Sequence, residues 1–366
     1  YMTREELLAL TIEPINKKIE KEVKAIWDGI AKPLDGLGEF ELFLARIGGI
    51  LGSTDLNLQK KAIIAMCADN GIVAEHVSQS GQEVTAIVTS FMGKQQSSVG
   101  KMAAHAGVDV IPVDIGINSR EKIPGVRDCK IMQGTRDFLV EPAMTEEEAL
   151  RAIEVGIQLV QECKDKGYTL LGTGEMGIGN TTTSSAVAIA LMEKDDTDPV
   201  ALERWIGRGA GLSDAGLQRK AQVIKSALEK YPVAHMDTLQ ILATFGGLDI
   251  AGMAGVCIGG ALYHIPVILD GLISTLAGLV AQRLVSGVRE FLIPSHCSKE
   301  PAARLLADEL QLHPVIDANL ALGEGTGAVM MCELLDLALT LYEKQTTFDT
   351  MEIEQYERFS DKDGVR

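Results

Sequence analysis

The sequence predicts an α/β protein with a doubly wound, mainly parallel sheet that helices cover on both faces. Short apolar runs rich in β-branched residues alternate with segments of helical periodicity, and continuous runs of this kind are typical of fully buried strands. Several runs end in a polar residue, as expected where the carboxyl ends of parallel strands open into a ligand crevice. The 366 residues suffice for one large domain with a small companion.

The expected elements alternate along the middle of the chain. Strands are predicted at 61–69, 108–115, 168–175, 265–270 and 290–295. Helices are predicted near 83–106, 145–166, 181–193, 214–230, 248–262, 272–287 and 299–310. This alternation indicates parallel strand pairs that are joined by crossover helices.

Both ends of the chain are predicted to be helical and to form a small lobe. Thr3 and Glu6 have the spacing of a capping box, and an amphipathic segment follows at about 13–30. The stretch from 330 begins as an apolar helix and ends in an acidic tail. We therefore expect residues 1–60 and 330–366 to form a small helical lobe beside a large substrate-binding domain at 61–329.

Composition and charge exclude several classes of function. The formal charge of −17 argues against nucleic acid or an anionic membrane as a partner. The six cysteines form no C-x-x-C pair and no signal peptide is visible, which favours a reduced, cytoplasmic protein. No histidine or cysteine cluster has zinc spacing, so neither a metal nor another cofactor is expected. The apolar stretch at 250–280 is interrupted by polar residues and proline, which favours a buried helix–strand–helix over a membrane span.

The stretch GTGEMGIGNTTTSS, which begins at Gly172, is the strongest local signal of a ligand site. Gly172, Gly174 and Gly177 have the spacing of a dinucleotide fingerprint, whereas Gly174, Gly179 and Thr181 have the spacing of a P-loop. The stretch follows a predicted strand and opens a predicted helix. Its amides therefore point to an anion such as a phosphate, and a glycine-rich turn without a ligand is the alternative.

Neither of the two phosphate patterns is complete. Asn180 stands where a P-loop has its lysine. A dinucleotide loop opens the first βα unit, but at least two predicted strands precede this one. Asp195 and Asp196 lie at the distance of a ribose-binding acid, although in a loop and not at a strand end. A single phosphate is therefore favoured over a dinucleotide or a triphosphate.

Two carboxylates lie in glycine-rich stretches. Glu175 lies inside the phosphate loop, where it would orient a sugar hydroxyl or a cationic ring, with capping of nearby amides as the alternative. Glu324 lies between Gly323 and Gly325 in LGEGTGA. A glutamate in an apolar pocket has a raised pKa that suits a general base, with a flexible surface loop as the alternative.

Four further residues are candidates for substrate binding. Gly209 belongs to the glycine-rich stretch GRGAGLSDAG, and Lys220 is a nearby cation that would offset a phosphate or form a surface ion pair. Asp249 heads an apolar helix, where capping is its default role. Ser295 ends a predicted strand, where a loop or capping role is the alternative.

Ten stretches, taken in order, resemble one known family. They are KPLDGLGEFE, MCADNGIVAEHVS, EVTA, VDIGI, GEMGIGNTTTSSA, GRGAGLSDAG, GGLDIAGMAG, VILDG, LIPSH and LGEGTGA. Together they resemble the nicotinate-nucleotide–dimethylbenzimidazole phosphoribosyltransferases, which activate the lower ligand of cobalamin. The resemblance extends over nearly the whole chain, and the fold that it implies is the doubly wound sheet with a small lobe.

The resemblance implies a reaction and a set of site residues. Nicotinate mononucleotide would give its phosphoribosyl group to an aromatic base, with release of nicotinate and formation of an α-riboside phosphate. The family's general base corresponds to Glu324. The 5′-phosphate would be held through Gly177, Gly179, Asn180 and Thr181.

The resemblance also assigns the remaining parts of the substrate. Glu175 would lie near the ribose or the developing positive charge. Ser80, Gly81 and Met176 are expected in the pocket of the incoming base. The cationic pyridinium leaves without help, so the reaction requires no general acid and no metal.

Two positions depart from the family pattern and leave the acceptor open. Asn70 stands where histidine is common, and Gly81 where proline is common. The acceptor is therefore a benzimidazole, adenine or a phenol such as p-cresol. The resemblance implies a dimer, either a homodimer or a pair with a paralogous subunit. The alternatives to this enzyme are a non-catalytic or weakly active nucleotide-binding partner subunit and a dinucleotide-dependent dehydrogenase.

Overall fold

Six parallel strands form one sheet in this computed structural model, which describes residues 1–194 and 198–359. The strands are Lys61–Ala68 (β1), Asp109–Gly116 (β2), Arg127–Asp128 (β3), Leu170–Met176 (β4), Val267–Ile268 (β5) and Leu292–Ile293 (β6). Their order across the sheet is β3-β2-β1-β4-β5-β6, and all neighbouring pairs are parallel. The strand order reverses between β1 and β4, which is where ligands bind in open α/β sheets.

Helices make up most of the remaining described chain. They are Arg4–Leu8 (α1), Lys17–Gly29 (α2), Glu39–Leu51 (α3), Glu83–Gly93 (α4), Ser98–Ala106 (α5), Glu146–Asp165 (α6), Asn180–Met192 (α7), Pro199–Glu203 (α8), Asp214–Lys230 (α9), Thr238–Phe245 (α10), Leu248–Tyr263 (α11), Leu272–Leu284 (α12), Ala302–Glu309 (α13), Thr326–Glu343 (α14) and Phe348–Met351 (α15). All eight residues of β1 are buried. Because successive side chains of a strand point to opposite faces, the sheet is covered on both sides. The predicted fold class is confirmed.

The long apolar stretch at 250–280 forms the helix α11, the strand β5 and the helix α12, as predicted. All but the last two residues of α11 are buried in the core. Among the residues that the structure describes, no helix combines the length and the apolar character needed to cross a membrane.

Some predicted elements have different bounds in the structure. The predicted helix at 83–106 is two helices, α4 and α5, because Gln95 has a left-handed φ of +57° that ends the first helix. Ser97 then caps the second by accepting a hydrogen bond from the Gly100 amide at 3.2 Å. The strands β5 and β6 pair over two residues each and are shorter than predicted. The strand β3 and the helix α10 have no counterpart in the prediction.

The structure divides into two units. The larger consists of Tyr1–Pro14 and Leu58–Met331, and the smaller of Ile15–Asn57 and Cys332–Arg366, of which 360–366 lie outside the described residues. Within the smaller unit, the Trp27 and Tyr342 rings lie 5.3 Å apart between centroids.

The predicted lobe of residues 1–60 and 330–366 differs from this division at its N-terminus. The helix α1 belongs to the larger unit, where Arg4 pairs with Glu146 and Asp237. Leu7 on the same helix is fully buried. These contacts are long-range in sequence, so the helical pattern of the first residues could not reveal them.

The helices α6 and α11 pack backbone to backbone through glycines. A Cβ atom on Gly255 would lie 2.0 Å from the carbonyl oxygen of Ile153, and one on Gly156 would lie 2.2 Å from that of Gly252. Backbone atoms cannot rotate away as side chains do, so neither helix accepts a side chain at these points.

We expect Gly255→Ala to lower the free energy of unfolding by about 1–3 kcal/mol, because the new methyl group overpacks a rigid backbone contact. Gly29→Ala is the matched control, since a Cβ atom at the end of α2 would meet nothing within 4 Å. Chemical denaturation of both variants measures the difference. Equal stability of the two variants would contradict the packing argument.

Candidate active site

A cavity of about 380 Å³ lies at the carboxyl end of the sheet, within the larger unit. The end of β4 and the loop into α7 contribute Glu175, Met176, Gly177 and Thr181 to its wall. Other walls come from the turn after β5, the loop at 209–210, the segment 296–300 and the loop at 321–324. The cavity therefore opens beside the point where the strand order reverses.

The glycines of the phosphate loop have separate structural roles. Gly172 and Gly174 lie within β4 itself, where a Cβ atom on Gly174 would come within 2.4 Å of the carbonyl oxygen of Glu324. Gly179 has a φ of +92° and begins α7 without a side-chain cap. The first two glycines of the dinucleotide spacing therefore lie in a strand, and the left-handed turn at Gly179 belongs to the P-loop spacing. Asp195 and Asp196 lie outside the described residues.

The start of α7 meets a buried lysine. The Nζ atom of Lys220 donates hydrogen bonds to Thr181 Oγ1 at 3.1 Å and to the carbonyl oxygen of Gly207 at 2.8 Å. Gly209 packs on Thr181, with 2.8 Å between a Cβ atom placed there and the hydroxyl. The structure thus brings Thr181, Gly209 and Lys220 together at one end of the cavity.

Lys220 is fully buried, and within the described part of the chain its ammonium group contacts no carboxylate within 4 Å. Burial lowers the pKa of Lys220 to about 8, and the charge of Glu300 opposes this shift. The ammonium group of a buried lysine with only neutral partners is stabilised when an anion approaches. This end of the cavity is therefore suited to a phosphate.

Asn180 does not direct its amide toward an anion. Its Nδ2 atom donates hydrogen bonds to Glu175 Oε2 and, at 3.1 Å, to Asp249 Oδ2. Both amide hydrogens are used in this way, so the Asn180 side chain forms a bridge between two carboxylates. Asp249 is fully buried behind Asn180, and its Oδ1 atom accepts a hydrogen bond from the Ile250 amide at 3.0 Å.

The bridged carboxylates bind protons more strongly than usual. Burial raises the pKa of Glu175 to about 8, while the hydrogen bond from Asn180 opposes the shift and the charges of Asp249, Asp270 and Glu324 add to it. Burial likewise raises the pKa of Asp249 to about 6. Negative charge on these buried carboxylates is therefore energetically unfavourable, and a cationic ligand nearby would stabilise it.

Glu324 lies on a loop with an unusual backbone. Gly323, Glu324 and Gly325 have φ angles of +84°, +63° and +96°, and a residue other than glycine in this region costs about 1–2 kcal/mol. The Glu324 side chain is half-buried in the cavity wall. Its Oε1 atom accepts a hydrogen bond from the amide of Val99, near the start of α5, at 3.5 Å.

Of the three residues expected around the incoming base, one is among the described residues that line the cavity. Met176 lines the cavity, but Ser80 and Gly81 are not among the described residues that do so. Ser80 and Gly81 precede α4, whereas Val88 on α4 and Ser98 at the start of α5 line the cavity. Leu272, Ile273 and Leu322 complete an apolar surface beside them. To place Val88 and Ser98 at the cavity wall from sequence, one would have had to predict the break between α4 and α5.

Ser295, an expected site residue, and Asn70, a departure from the family pattern, are not among the described residues that line the cavity. Ser295 is buried, and its hydroxyl donates to the carbonyl oxygens of Leu269 and Asp270 at 2.6 and 2.9 Å, which is a structural role. Asn70 is also fully buried and donates a hydrogen bond to the carbonyl oxygen of Ile178 at 3.4 Å. Asn70 therefore lies behind the loop at 177–179.

Asp270 and His296 line the cavity. Asp270 is one of the polar strand ends of the ligand crevice predicted from the sequence, whereas His296 was not placed in the site. Asp270 follows β5, and its Oδ1 atom lies 3.3 Å from His296 Nε2. The signal was present, since Asp270 is a polar residue at a strand end and both residues lie in family-like stretches, VILDG and LIPSH.

A carboxylate cluster in the smaller unit has the spacing of a metal site. Asp28, Asp35 and Glu41 lie close enough together to hold an ion. Lys24, however, lies 2.9 Å from Asp28 and 2.6 Å from Asp35, and Arg358 contacts the same two carboxylates. Hydrogen bonds from Arg358 and Lys24 hold the pKa of Asp35 far below its ordinary value. The cluster is an ion-pair network.

Known proteins share this sequence over most of its length. A family model described as phosphoribosyltransferase matches residues 12–353. The nicotinate-nucleotide–dimethylbenzimidazole phosphoribosyltransferase of Clostridium acetobutylicum is 40% identical over 345 residues, which are 94% of this chain and 96% of that protein. The protein of the same name from Acetivibrio thermocellus is 42% identical over 330 residues, 90% of this chain and 92% of that protein.

The chain belongs to the nicotinate-nucleotide–dimethylbenzimidazole phosphoribosyltransferase family. The resemblance predicted from the ten stretches is confirmed, and the dehydrogenase alternative is set aside. Members of this family are enzymes of the glycosyltransferase type, so phosphoribosyltransferase activity holds for the chain at the family level.

A solved structure shares the family fold. The crystal structure of CobT from Thermus thermophilus has a TM-score of 0.84 at 33% identity, over 93% of this chain and 100% of that chain. A second crystal structure from the same organism, named as a phosphoribosyltransferase of this family, has a TM-score of 0.83 at 32% identity, over the same shares of the two chains. The six-stranded sheet and its helices are therefore a shared framework of the family.

We expect the free energy of unfolding of the wild-type protein to fall between about pH 5 and pH 8, and we expect Glu175→Gln to remove this fall. With a pKa raised to about 8, the folded protein keeps a proton on Glu175 that the unfolded chain has already released. The free energy of unfolding therefore falls as the pH rises through this window. Glutamine does not titrate, so the variant lacks this pH dependence.

Thermal melts of wild type and variant at both ends of the window measure the effect. The difference between their melting temperatures should be larger at the alkaline end. Glu229→Gln, an exposed change on α9, should leave the difference from wild type constant. A constant difference for Glu175→Gln would contradict the assignment.

Proposed function

We propose that this chain transfers the 5-phosphoribosyl group of nicotinate mononucleotide to an aromatic lower-ligand base of cobamides, giving an α-riboside phosphate and nicotinate. The observation that carries the proposal is that a lysine-backed helix start and the carboxylates Glu175 and Glu324 line one cavity. The names of the relatives from Clostridium acetobutylicum and Acetivibrio thermocellus support the substrate class.

The phosphate is proposed to bind at the start of α7. Amide groups of Gly177 and the first turn offer hydrogen bonds, and the partial positive charge of a helix N-terminus favours an anion. Thr181 Oγ1 and Lys220 Nζ already contact each other at 3.1 Å. A phosphate there would favour the charged form of Lys220, whose pKa burial has lowered.

The pyridinium ring is proposed to lie near Glu175. This ring is positively charged while bonded to the ribose, and it becomes neutral when the bond from C1′ to nitrogen breaks and the electron pair stays on the ring nitrogen. The carboxylate of Glu175 on the cavity wall stabilises the positive charge that then develops on the ribose. Nicotinate therefore leaves without protonation.

The acceptor is proposed to stack against the apolar surface formed by Met176, Val88 and Leu322. Its nitrogen or oxygen forms the new bond to C1′ from the face opposite nicotinate, which inverts the β linkage to α. Glu324 takes the N–H or O–H proton as this bond forms, so the product is neutral at the linkage. The loop holds the Glu324 side chain at the cavity wall for this step.

The apolar surface is compatible with both benzimidazoles and phenols. The assay that tests the proposal combines purified protein, nicotinate mononucleotide and a panel of dimethylbenzimidazole, benzimidazole, adenine, phenol and p-cresol. Mass spectrometry of the α-riboside phosphate identifies the acceptor. Failure with the whole panel would favour a non-catalytic partner subunit and contradict the proposal.

We expect Glu324→Gln to lower kcat for the best acceptor by about 10²–10⁴-fold, because the variant cannot accept the proton. The KM for nicotinate mononucleotide should change little, since the phosphate is held elsewhere. Glu229→Gln on the exposed face of α9 is the control and should retain wild-type kcat. A Glu324→Gln variant with full activity would contradict the role of Glu324.

We expect Lys220→Met to weaken binding of nicotinate mononucleotide by about 10–100-fold, the range for a lost hydrogen bond to a charged group. Binding of nicotinate riboside, which lacks the phosphate, should be nearly unchanged. Titration calorimetry with both ligands measures the difference, with Lys225→Met on the same helix as the control. Equal losses for the two ligands would show that Lys220 acts only on the fold.

A further inference from the structure

We infer that Asp270 is a positioning residue that holds the loop of Glu324 in its reactive conformation; this inference rests on the proposed role of Glu324. Asp270 is 2% exposed and follows β5 at the carboxyl end of the sheet. Its carboxylate is committed to protein donors, so it acts on the reaction through the loop.

The carboxylate of Asp270 receives contacts from four groups. Its Oδ2 atom accepts a hydrogen bond from the Gly325 amide at 3.1 Å. Its Oδ1 atom accepts hydrogen bonds from the amides of Gly327 at 2.8 Å and Ala328 at 3.3 Å, and lies 3.3 Å from His296 Nε2. One buried carboxylate therefore serves the residue next to Glu324 and the first turn of α14.

These bonds satisfy amides that a helix leaves without partners. The first N–H groups of an α-helix have no carbonyl within the helix to bind. At α14 two of them, together with the preceding Gly325 amide, converge on the Asp270 side chain. A negative charge at this position also interacts favourably with the helix dipole.

The loop needs such an anchor because its backbone is strained. Glu324 has a φ of +63° between two left-handed glycines, and strain of this kind persists only where the surroundings over-determine it. Within the loop, the Thr326 amide and hydroxyl both bond to the carbonyl oxygen of Gly323, at 3.0 and 2.8 Å. The hydrogen bonds to Asp270, which follows β5, connect this turn to the end of that strand.

Loss of the anchor should affect chemistry more than binding. A misplacement of a reacting group by about 1 Å costs about 100-fold in rate. The hydrogen bonds of the proposed phosphate site join Lys220 to Thr181 and Gly207, whereas those of Asp270 run to the loop and the start of α14. Relaxation of the loop therefore moves the base and leaves the nucleotide in place.

The test is a double-mutant cycle with Asp270→Asn and Glu324→Gln. Asparagine has the same shape, but its NH₂ group is a donor and cannot accept a hydrogen bond, so at least one of the four donors would lose its partner. In the wild-type background we expect Asp270→Asn to lower kcat by about 100-fold, with the KM for nicotinate mononucleotide within about threefold. In the Glu324→Gln background the same change should cost less than about threefold, because the base it positions is already absent.

Asp114→Asn is the matched control. Asp114 is another buried carboxylate at a strand end, where it accepts a hydrogen bond from the Ile117 amide at 2.9 Å and pairs with Lys130 at 3.2 Å. It holds a different loop, so kcat should remain at the wild-type value even if stability falls. A similar loss of kcat in Asp114→Asn and Asp270→Asn would overturn the inference.

The other outcomes are also decisive. Equal losses from Asp270→Asn in both backgrounds would mean that it acts independently of Glu324, which overturns the inference and leaves the proposed function intact. Full activity of Glu324→Gln alone would overturn both the role of the base and its positioning. If Asp270→Asn does not fold, Gly327→Ala takes its place, since its Cβ atom would meet the His296 ring and lie 2.7 Å from Asp270 Oδ1, and so disturb both contacts of the anchor.

Discussion

A backbone contact between β4 and the loop of Glu324 determines the arrangement of the site. A Cβ atom on Gly174 would lie 2.4 Å from the carbonyl oxygen of Glu324, and one on Gly325 would lie 3.2 Å from Gly174 Cα. Two segments far apart in the chain are therefore held at backbone distance, without a side chain between them. Glu175, the next residue of β4, and Glu324 consequently face the same cavity.

The cavity has two ends of different electrostatic character. At one end, Lys220 is buried against a hydroxyl and a carbonyl oxygen, and burial lowers its pKa. At the other, burial raises the pKa values of Glu175 and Asp249. Burial disfavours the charged form of each group, and a ligand of opposite charge offsets this cost. A nucleotide with an anionic phosphate and a cationic ring is complementary to both ends, which supports the proposed substrate.

Long elements of the fold were predicted more accurately from the sequence than short ones. Long, strongly periodic segments such as α6 and α9 were predicted to within a few residues, because each carries its own pattern of burial and its own capping signals. The strand β3 has two exposed residues, and no pattern distinguishes it from a loop. The break between α4 and α5 depends on the left-handed conformation of Gln95, which glutamine does not signal. Val88 on α4 and Ser98 at the start of α5 lie on either side of that break and line the cavity, whereas Ser80 and Gly81 are not among the described residues that do so.

By itself, the sequence determined the fold class, the family and the stretches that surround the cavity, because periodicity, turn glycines and motif order are local properties. Tertiary structure decided which partner each polar group found. Asn180 bridges two carboxylates, Ser295 bonds to backbone carbonyl oxygens, and Asp270 anchors a loop. A buried donor or acceptor pairs with whatever the fold brings within about 3 Å, and that neighbour can come from any part of the chain.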